Sequence, residues 1–148
     1  MNKKGVTLLE LIVVMVIIAI GALALAPNIG TWMTHFRLRS AARDVTSVLR
    51  TAQMKAVSNN IAYRVNFNAG SNSFLLEYQT TAGFKPEGTS QKLPAGVTIS
   101  DVSFSGGVGY AVFNPDSTSS AGHVTLTDTK GTQRTINVSS STGRVKVD

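Results

Sequence analysis

The stretch from Lys3 to Pro27 reads KKGVTLLELIVVMVIIAIGALALAP, and it determines how the rest of the chain is organised. Two lysines and a glycine precede an apolar run that contains one carboxylate, Glu10. From Val6 to Ala26 this run covers about 21 residues, or roughly 32 Å of α-helix, which is enough to cross the hydrocarbon core of a bilayer. The positive-inside rule places the lysines in the cytoplasm and the remainder of the chain outside.

The carboxylate of Glu10 needs a partner, because a charge at membrane depth costs on the order of 3 kcal/mol. No lysine or arginine follows Gly5 within the apolar run. Cleavage after Gly5 would create a free amine at Val6, and Glu10 could neutralise that amine within one chain or between neighbouring chains. Opposite charges attract strongly in a low dielectric, so we expect this pairing to orient and recruit subunits.

The motif Gly5-Val6-Thr7-Leu8-Leu9-Glu10-Leu11 resembles the type III signal sequence of type IV prepilins and type II secretion pseudopilins. The resemblance implies that a prepilin peptidase cuts after Gly5 and methylates the new N-terminus at Val6, where phenylalanine is usual in the family. It also implies that Glu10 guides assembly into a filament. Pro27 sits where many members have a helix-bending proline.

Two other interpretations of the same stretch stay open. One is a membrane anchor that is never cut, which leaves Glu10 without a role. The other is a secretory signal peptide with Ala24-Leu25-Ala26 as its cleavage site. Pro27 directly after that site and Glu10 inside the apolar region both argue against a signal peptide.

Composition limits the kinds of protein that the chain can be. Its 148 residues suit one folded domain plus the anchor, and the absence of cysteine excludes disulfides and thiolate metal sites. The formal net charge is +6, with a sequence pI near 10.0, and loss of Lys3 and Lys4 with the leader leaves +4 on the side chains. This excess can serve a polyanion such as DNA, the acidic faces of sister subunits, or no dedicated partner.

Periodicity predicts a long helix followed by strands. Apolar residues recur at spacings of three and four from Ile29 to Ala56, so we expect one helix from about Val6 to Ser58, bent at Pro27 and stopped by Asn59-Asn60. Alternation predicts the strands Ile61–Phe67, Phe74–Gln79, Val97–Ile99, Val102–Phe104, Tyr110–Phe113, His123–Thr127, Arg134–Val138 and Arg144–Val147. Clusters of turn residues predict loops at Thr80–Gln91 and Asn114–Gly122.

The predicted fold class is α+β, with a long N-terminal helix packed on an antiparallel β-sheet. With the resemblance it becomes a type IV pilin-like fold in which the first half of the helix is transmembrane. The expected segments are a leader peptide at residues 1–5, a transmembrane assembly helix at 6–27, the amphipathic second half of the helix at 28–60, and a β-rich head at 61–148.

The C-terminal half is similar to the GspH/FimT family of minor pilins and pseudopilins, in the order of the segments Phe113–Pro115, Gly122–Leu126, Arg134–Val138 and Thr142–Val147. The resemblance covers essentially the whole chain. It implies a structural subunit at or near the tip of a type IV pilus or a type II secretion pseudopilus, where it helps to initiate filament assembly. The implied partners are other pilins or pseudopilins, the prepilin peptidase and the inner membrane, with the head in the periplasm.

The residue pattern predicts no catalytic activity, no cofactor and no metal site. His35 and His123 share no metal-ligand spacing such as H-E-x-x-H, and the carboxylates are scattered without a close pair. The serines lie in turn clusters without a nucleophile elbow. We therefore expect a structural or binding protein.

A DNA-binding role is an alternative that depends on the last cations of the chain. Arg144 and Lys146 are two residues apart in a predicted strand and so share one side, and Arg134 joins them if its strand pairs alongside. Some FimT-type members bind DNA during natural transformation through a C-terminal Gly-Arg-x-Arg motif, whose last position is lysine here. A solvated strand edge is the plain alternative. A membrane-anchored binding protein that never polymerises is a third hypothesis.

Overall fold

The computed structural model describes residues 5–25 and 29–148, with side chains for residues 5–22 and 32–148. The chain splits into two compact units, with the boundary between Met33 and Thr34. The helices in the described residues are α1 (Leu8–Leu25) and α2 (Ile29–Asn59). The strands are β1 (Tyr63–Asn68), β2 (Ser73–Thr80), β3 (Gly83–Pro86), β4 (Gln91–Lys92), β5 (Val97–Phe104), β6 (Tyr110–Phe113), β7 (Gly122–Asp128), β8 (Gln133–Val138) and β9 (Val145–Val147).

The helix expected from Val6 to Ser58 corresponds to α1 and α2, and residues 26–28 between them lie outside the described residues. α1 begins after Thr7 because the Thr7 hydroxyl accepts a hydrogen bond from the Glu10 N–H, which caps the helix. α2 ends as predicted at the asparagine pair, since Asn60 takes a left-handed φ of 53°. The predicted bend at Pro27 lies outside the described residues. Within the described ranges, no helix is long and apolar enough to cross a membrane.

The second unit is built on one face of α2. The buried apolar residues of this helix recur at helical spacing, and four of the seven are alanines, which let the strands approach the helix closely: Leu38, Ala41, Ala42, Val45, Leu49, Ala52 and Ala56. They join one hydrophobic core with inward side chains of the strands, among them Val65, Phe113, Leu126 and Ile136. This confirms that the second half of the predicted helix lies against the sheet.

The strands form two antiparallel sheets. The first has the order β3-β2-β1-β6, with β4 also pairing with β2, and the second has the order β5-β7-β8-β9. The sheets meet at Phe67 of β1, whose ring stacks on Phe104 of β5 with the ring centroids 6.0 Å apart. A single core therefore serves both sheets and α2, and the predicted α+β class, with a long helix packed on antiparallel strands, is confirmed.

Three details of the strand prediction were wrong. Thr80–Gln91 is not only a loop, since it contains β3 and the start of β4. β3 lies at a sheet edge, where the missing N–H of Pro86 breaks no ladder. The two short strands expected between Val97 and Phe104 are one strand, β5, because an irregularity between Ile99 and Asp101 absorbs the break. The last strand begins at Val145 and not at Arg144.

Candidate functional site

The N-terminal segment places Glu10 at the start of α1. Gly5, Val6 and Thr7 are exposed and precede the helix, and the Glu10 N–H lies 3.3 Å from the Thr7 hydroxyl oxygen. The spacing Thr-x-x-Glu is that of a capping box, and a helix N-terminus favours a carboxylate electrostatically. The exposed Glu10 side chain thus projects from the same turn that follows the Gly5–Val6 bond.

The surface of α1 is apolar and uncovered. Every side chain described on this helix, from Leu8 to Ala22, is exposed, and its large apolar residues range from 49% exposed at Val14 to 78% at Leu8. An apolar surface of this extent marks contact with lipid or with other proteins. The helix therefore needs a covering that the first unit does not supply from its described residues.

The second unit carries a basic groove between α2 and β9, which we call the α2–β9 groove. Its first part has a volume of about 650 Å³, and one wall is a stripe of α2 with Arg39, Arg43 and Arg50. A second part shares Arg50, Met54 and Val147 with the first, and Arg144 and Lys146 line it. Among the described residues, no acidic and no aromatic side chain lines either part.

A contact at Gly143 holds β9 against the helix. The Gln53 side-chain amide on α2 donates a hydrogen bond of 2.9 Å to the backbone oxygen of Thr142. Gly143 follows with a left-handed φ of 60°, and a Cβ atom there would lie 2.7 Å from the Gln53 Nε2. Glycine is therefore required at this position both by its backbone conformation and by the space that Gln53 occupies.

The three cations of the DNA hypothesis are only partly brought together. Arg144 and Lys146 line the same part of the groove, as their spacing predicts. β8 does lie beside β9, but Lys146 pairs with Asn137, so alternation puts Arg134 on the opposite face of the sheet, where it lines the first part of the groove. Lys146 also forms an ion pair of 2.7 Å with Asp148, which lowers the pKa of the Asp148 carboxyl.

The two histidines each approach an aspartate. The His123 ring lies on the second sheet, with its Nε2 2.7 Å from the Asp101 Oδ2. His35 Nδ1 is 3.9 Å from the Oδ2 of Asp128, whose side chain is fully buried. In the residues that the structure describes, no group of three or more potential metal ligands occurs.

The buried carboxylate of Asp128 closes the turn between β7 and β8. Its Oδ1 accepts hydrogen bonds from the backbone N–H groups of Lys130 and Thr132 at 2.8 and 2.9 Å. Burial alone would raise the pKa of Asp128, but the hydrogen bonds from Thr132 and Lys130, with His35 nearby, hold that pKa below its usual value. The charged form of Asp128 is therefore part of the folded turn.

The sequence analysis did not identify the arginines of α2 as a group that lines a groove. Arg39, Arg43 and Arg50 are spaced by four and seven residues, which places them on one helix face. That spacing was available as a signal. Their position opposite β9 was not, because the bond between Gln53 and Thr142 joins residues 89 positions apart.

In the chain, an uncovered apolar helix with Gly5, Thr7 and Glu10 at its start is followed by an α+β unit. This combination defines a type IV pilin-like protein. The chain belongs to the type II transport protein GspH family, which matches residues 41–142. The prokaryotic N-terminal methylation motif matches residues 1–26. No curated protein matches the chain significantly.

Two kinds of solved structure share this fold. The minor pseudopilin EpsH from the type 2 secretion system of Vibrio cholerae has a TM-score of 0.65 at 9% identity, over 76% of this chain and 96% of that chain. The type IV minor pilin FimU of Pseudomonas aeruginosa has a TM-score of 0.58 at 16% identity, over 75% of this chain and 92% of that chain. At these identities the likeness concerns the fold alone.

Proposed function

We propose that the chain is a minor pilin or pseudopilin, a structural subunit that helps to initiate a filament at or near its tip. A prepilin peptidase removes residues 1–5 after Gly5 and methylates Val6. Residues 6–27 anchor the protein in the inner membrane, and residues 61–148 form a periplasmic head. The subunit then leaves the membrane for a type IV pilus or a type II secretion pseudopilus, where other pilins or pseudopilins surround it.

One observation carries this proposal, namely an apolar helix exposed on all sides with one carboxylate in its first turn. A helix that is apolar all round is stable only when lipid or other helices cover it. The match to the methylation motif supports a helix that is covered first by lipid and later by the helices of other filament subunits. No step of this role requires catalysis, which agrees with a subunit that acts by packing.

Glu10 has a specific task in this mechanism. An unpaired carboxylate at membrane depth costs on the order of 3 kcal/mol, which corresponds to about a hundredfold in an equilibrium constant. A neighbouring subunit's amine at Val6 removes much of that penalty, so a subunit enters the filament more favourably than it stays alone in the bilayer. Glu10 thereby couples processing to assembly.

Substitution of Glu10 tests the proposal in cells that assemble the filament. We expect Glu10→Gln to be processed normally but to enter sheared filaments at least tenfold less than the parent, because glutamine keeps the shape and loses the charge. Glu10→Asp should restore part of the incorporation. Asp44→Asn, which removes an exposed carboxylate from α2, is the matched control and should incorporate normally. Equal incorporation of Glu10→Gln and the parent would refute the mechanism.

The intact mass of the membrane-extracted protein tests processing separately. We expect loss of Met1 to Gly5 and the addition of one methyl group at Val6. The alternative of an anchored binding protein that never polymerises requires no such loss. A Gly5→Leu variant should keep its leader, stay in the membrane and be absent from filaments.

A further inference from the structure

The outer edge of β9 is open beside the α2–β9 groove. β9 is the last strand of the second sheet, and in the described part of the chain its only strand neighbour is β8. The Asp148 N–H donates to Thr135, and the Arg144 carbonyl accepts from Ser139, so these alternate residues bond towards β8. The backbone groups of Val145 and Val147 therefore point to the free edge, ready to pair with another strand.

The walls of the groove carry cations without counterions. Arg39, Arg43 and Arg50 on α2, and Arg144 beside β9, form no ion pair with any described residue. Lys146, by contrast, is already paired with Asp148. A row of guanidinium groups without counterions attracts an anionic ligand, and arginine binds carboxylates in a bidentate geometry.

Two apolar side chains are exposed along the groove. Met54 is 64% exposed and Val147 is 39% exposed, and both line the two parts of the groove. An extended segment turns alternate side chains to opposite sides. Such a segment on the β9 edge would direct one set of its side chains towards the α2 wall, where Met54 and the arginine stripe lie together, and carboxylates in that set would meet the arginines.

We propose that the α2–β9 groove binds an extended acidic segment of a neighbouring filament subunit, which adds a strand to the free edge of β9. Main-chain hydrogen bonds to Val145 and Val147 supply the register, and the arginine stripe supplies the charge selectivity. This inference rests on the proposed filament role, because it names the partner as another subunit. It gives the net positive charge of the exported part a task in subunit choice.

Nucleic acid fits this groove less well than an acidic polypeptide. Single-stranded binding sites stack bases on aromatic side chains, and the described lining contains none. The exposed apolar side chains of Met54 and Val147 and an open strand edge match a peptide main chain with alternating side chains. DNA is therefore the competing outcome of the test.

A direct binding assay tests the groove with the full mature chain in mild detergent. The probe is a fluorescent short peptide of alternating glutamate and valine, and binding is followed by fluorescence anisotropy. We expect saturable binding that weakens as salt rises, because salt screens exposed charges. Two further peptides carry backbone N-methyl groups, one on the glutamates and one on the valines, and at least one of them should bind tenfold more weakly.

Two double variants distinguish binding in the groove from a general effect of the net positive charge. Arg43→Gln with Arg50→Gln removes two exposed cations from the arginine stripe, and we expect at least a tenfold loss of peptide affinity. Lys85→Gln with Lys92→Gln removes two exposed cations from the first sheet and should leave the affinity within twofold. All four positions are solvent-exposed, so both proteins should fold as the parent does.

Each outcome decides the proposal. Lack of peptide binding, equal loss in both double variants, or indifference to backbone N-methylation overturns it. Binding of short single- or double-stranded DNA through Arg43 and Arg50, without peptide binding, overturns it in favour of the nucleic acid. The assay needs no filament, so peptide binding by a chain that never enters filaments would refute the filament role and leave the groove assignment intact.

Discussion

Gly143→Ala is the substitution whose effect the structure defines most fully. Gly143 is buried two residues before β9 and has a left-handed φ of 60°. An alanine Cβ there would lie 2.7 Å from the Gln53 Nε2 and 3.2 Å from the Ser117 carbonyl oxygen. Accommodation requires Gln53 to move, which breaks its hydrogen bond of 2.9 Å to the Thr142 oxygen.

Two contributions set the size of the effect. A left-handed alanine costs roughly 1 kcal/mol relative to glycine, and loss of one hydrogen bond costs about 1 kcal/mol. We therefore expect Gly143→Ala to lower the free energy of unfolding by about 2 kcal/mol. For a unit the size of Thr34–Asp148, this corresponds to a fall in melting temperature of roughly 8 °C.

Thermal unfolding of the mature chain in mild detergent, followed by circular dichroism, measures this loss. The matched control is Gly131→Ala, because Gly131 also has a left-handed φ, of 81°, but faces open space. That control should lose only about 1 kcal/mol. In a Gln53→Ala background, where the side chain that clashes is gone, Gly143→Ala should also lose only about 1 kcal/mol.

The reasoning fails if Gly143→Ala and Gly131→Ala are equally destabilising, or if Gln53→Ala leaves the effect of Gly143→Ala unchanged. Either result would show that Gln53 does not hold β9 in place. The peptide affinity of Gly143→Ala is an independent readout, because a displaced β9 changes the edge that the α2–β9 groove offers.

Three further predictions concern the second unit. Leu49→Ala, at a fully buried core position, should lower the free energy of unfolding by about 3 kcal/mol in urea titrations. Asp128 has a lowered pKa in the folded protein, so the stability from its charged form is present above the unfolded pKa near 3.8 and is lost as pH falls below it. Asp128→Asn should therefore flatten the acid side of the melting-temperature profile. Arg64 forms an ion pair with Glu77 and stacks on two aromatic rings. We expect Arg64→Lys to lower the free energy of unfolding by about 1 kcal/mol, measured by thermal melts.

These three predictions have their own controls. Val57→Ala, at a half-exposed position on α2, should cost less than 1 kcal/mol, and a similar loss at Leu49 would argue against the buried core. If the melting temperatures of Asp128→Asn and the parent fall equally as the pH is lowered, that carboxylate has no role in acid stability. An unchanged melting temperature for Arg64→Lys would mean that charge alone, and not the flat guanidinium, stabilises the outer face of the first sheet.

Local patterns in the sequence predicted most of the fold. The period of α2, the asparagine stop and the alternation of most strands are local signals, and each is observed. β3 and β4 escaped because short edge strands carry little alternation, and Gly83, Pro86 and Gly88 resemble a loop. The register between β8 and β9 could not be predicted from the sequence. The face of the sheet on which Arg134 lies therefore became known only from the structure.

The candidate site also has a part that the local sequence predicts and a part that it does not. Gly5, Val6 and Glu10 form a contiguous motif, so their spacing alone defines the proposed processing and assembly site. The α2–β9 groove depends on a strand that returns to a helix some ninety positions earlier, and its free edge depends on which sheet β9 joins. Long-range pairing of this kind leaves no trace in local periodicity.

The single core shared by α2 and both sheets has a consequence for where the protein can mature. No covalent bridge is available to a chain without cysteine, so folding needs neither an oxidant nor a thiol–disulfide isomerase. The head can therefore reach the same structure in a reducing cytosol and in an oxidising periplasm, and a thiol reductant leaves its native state untouched.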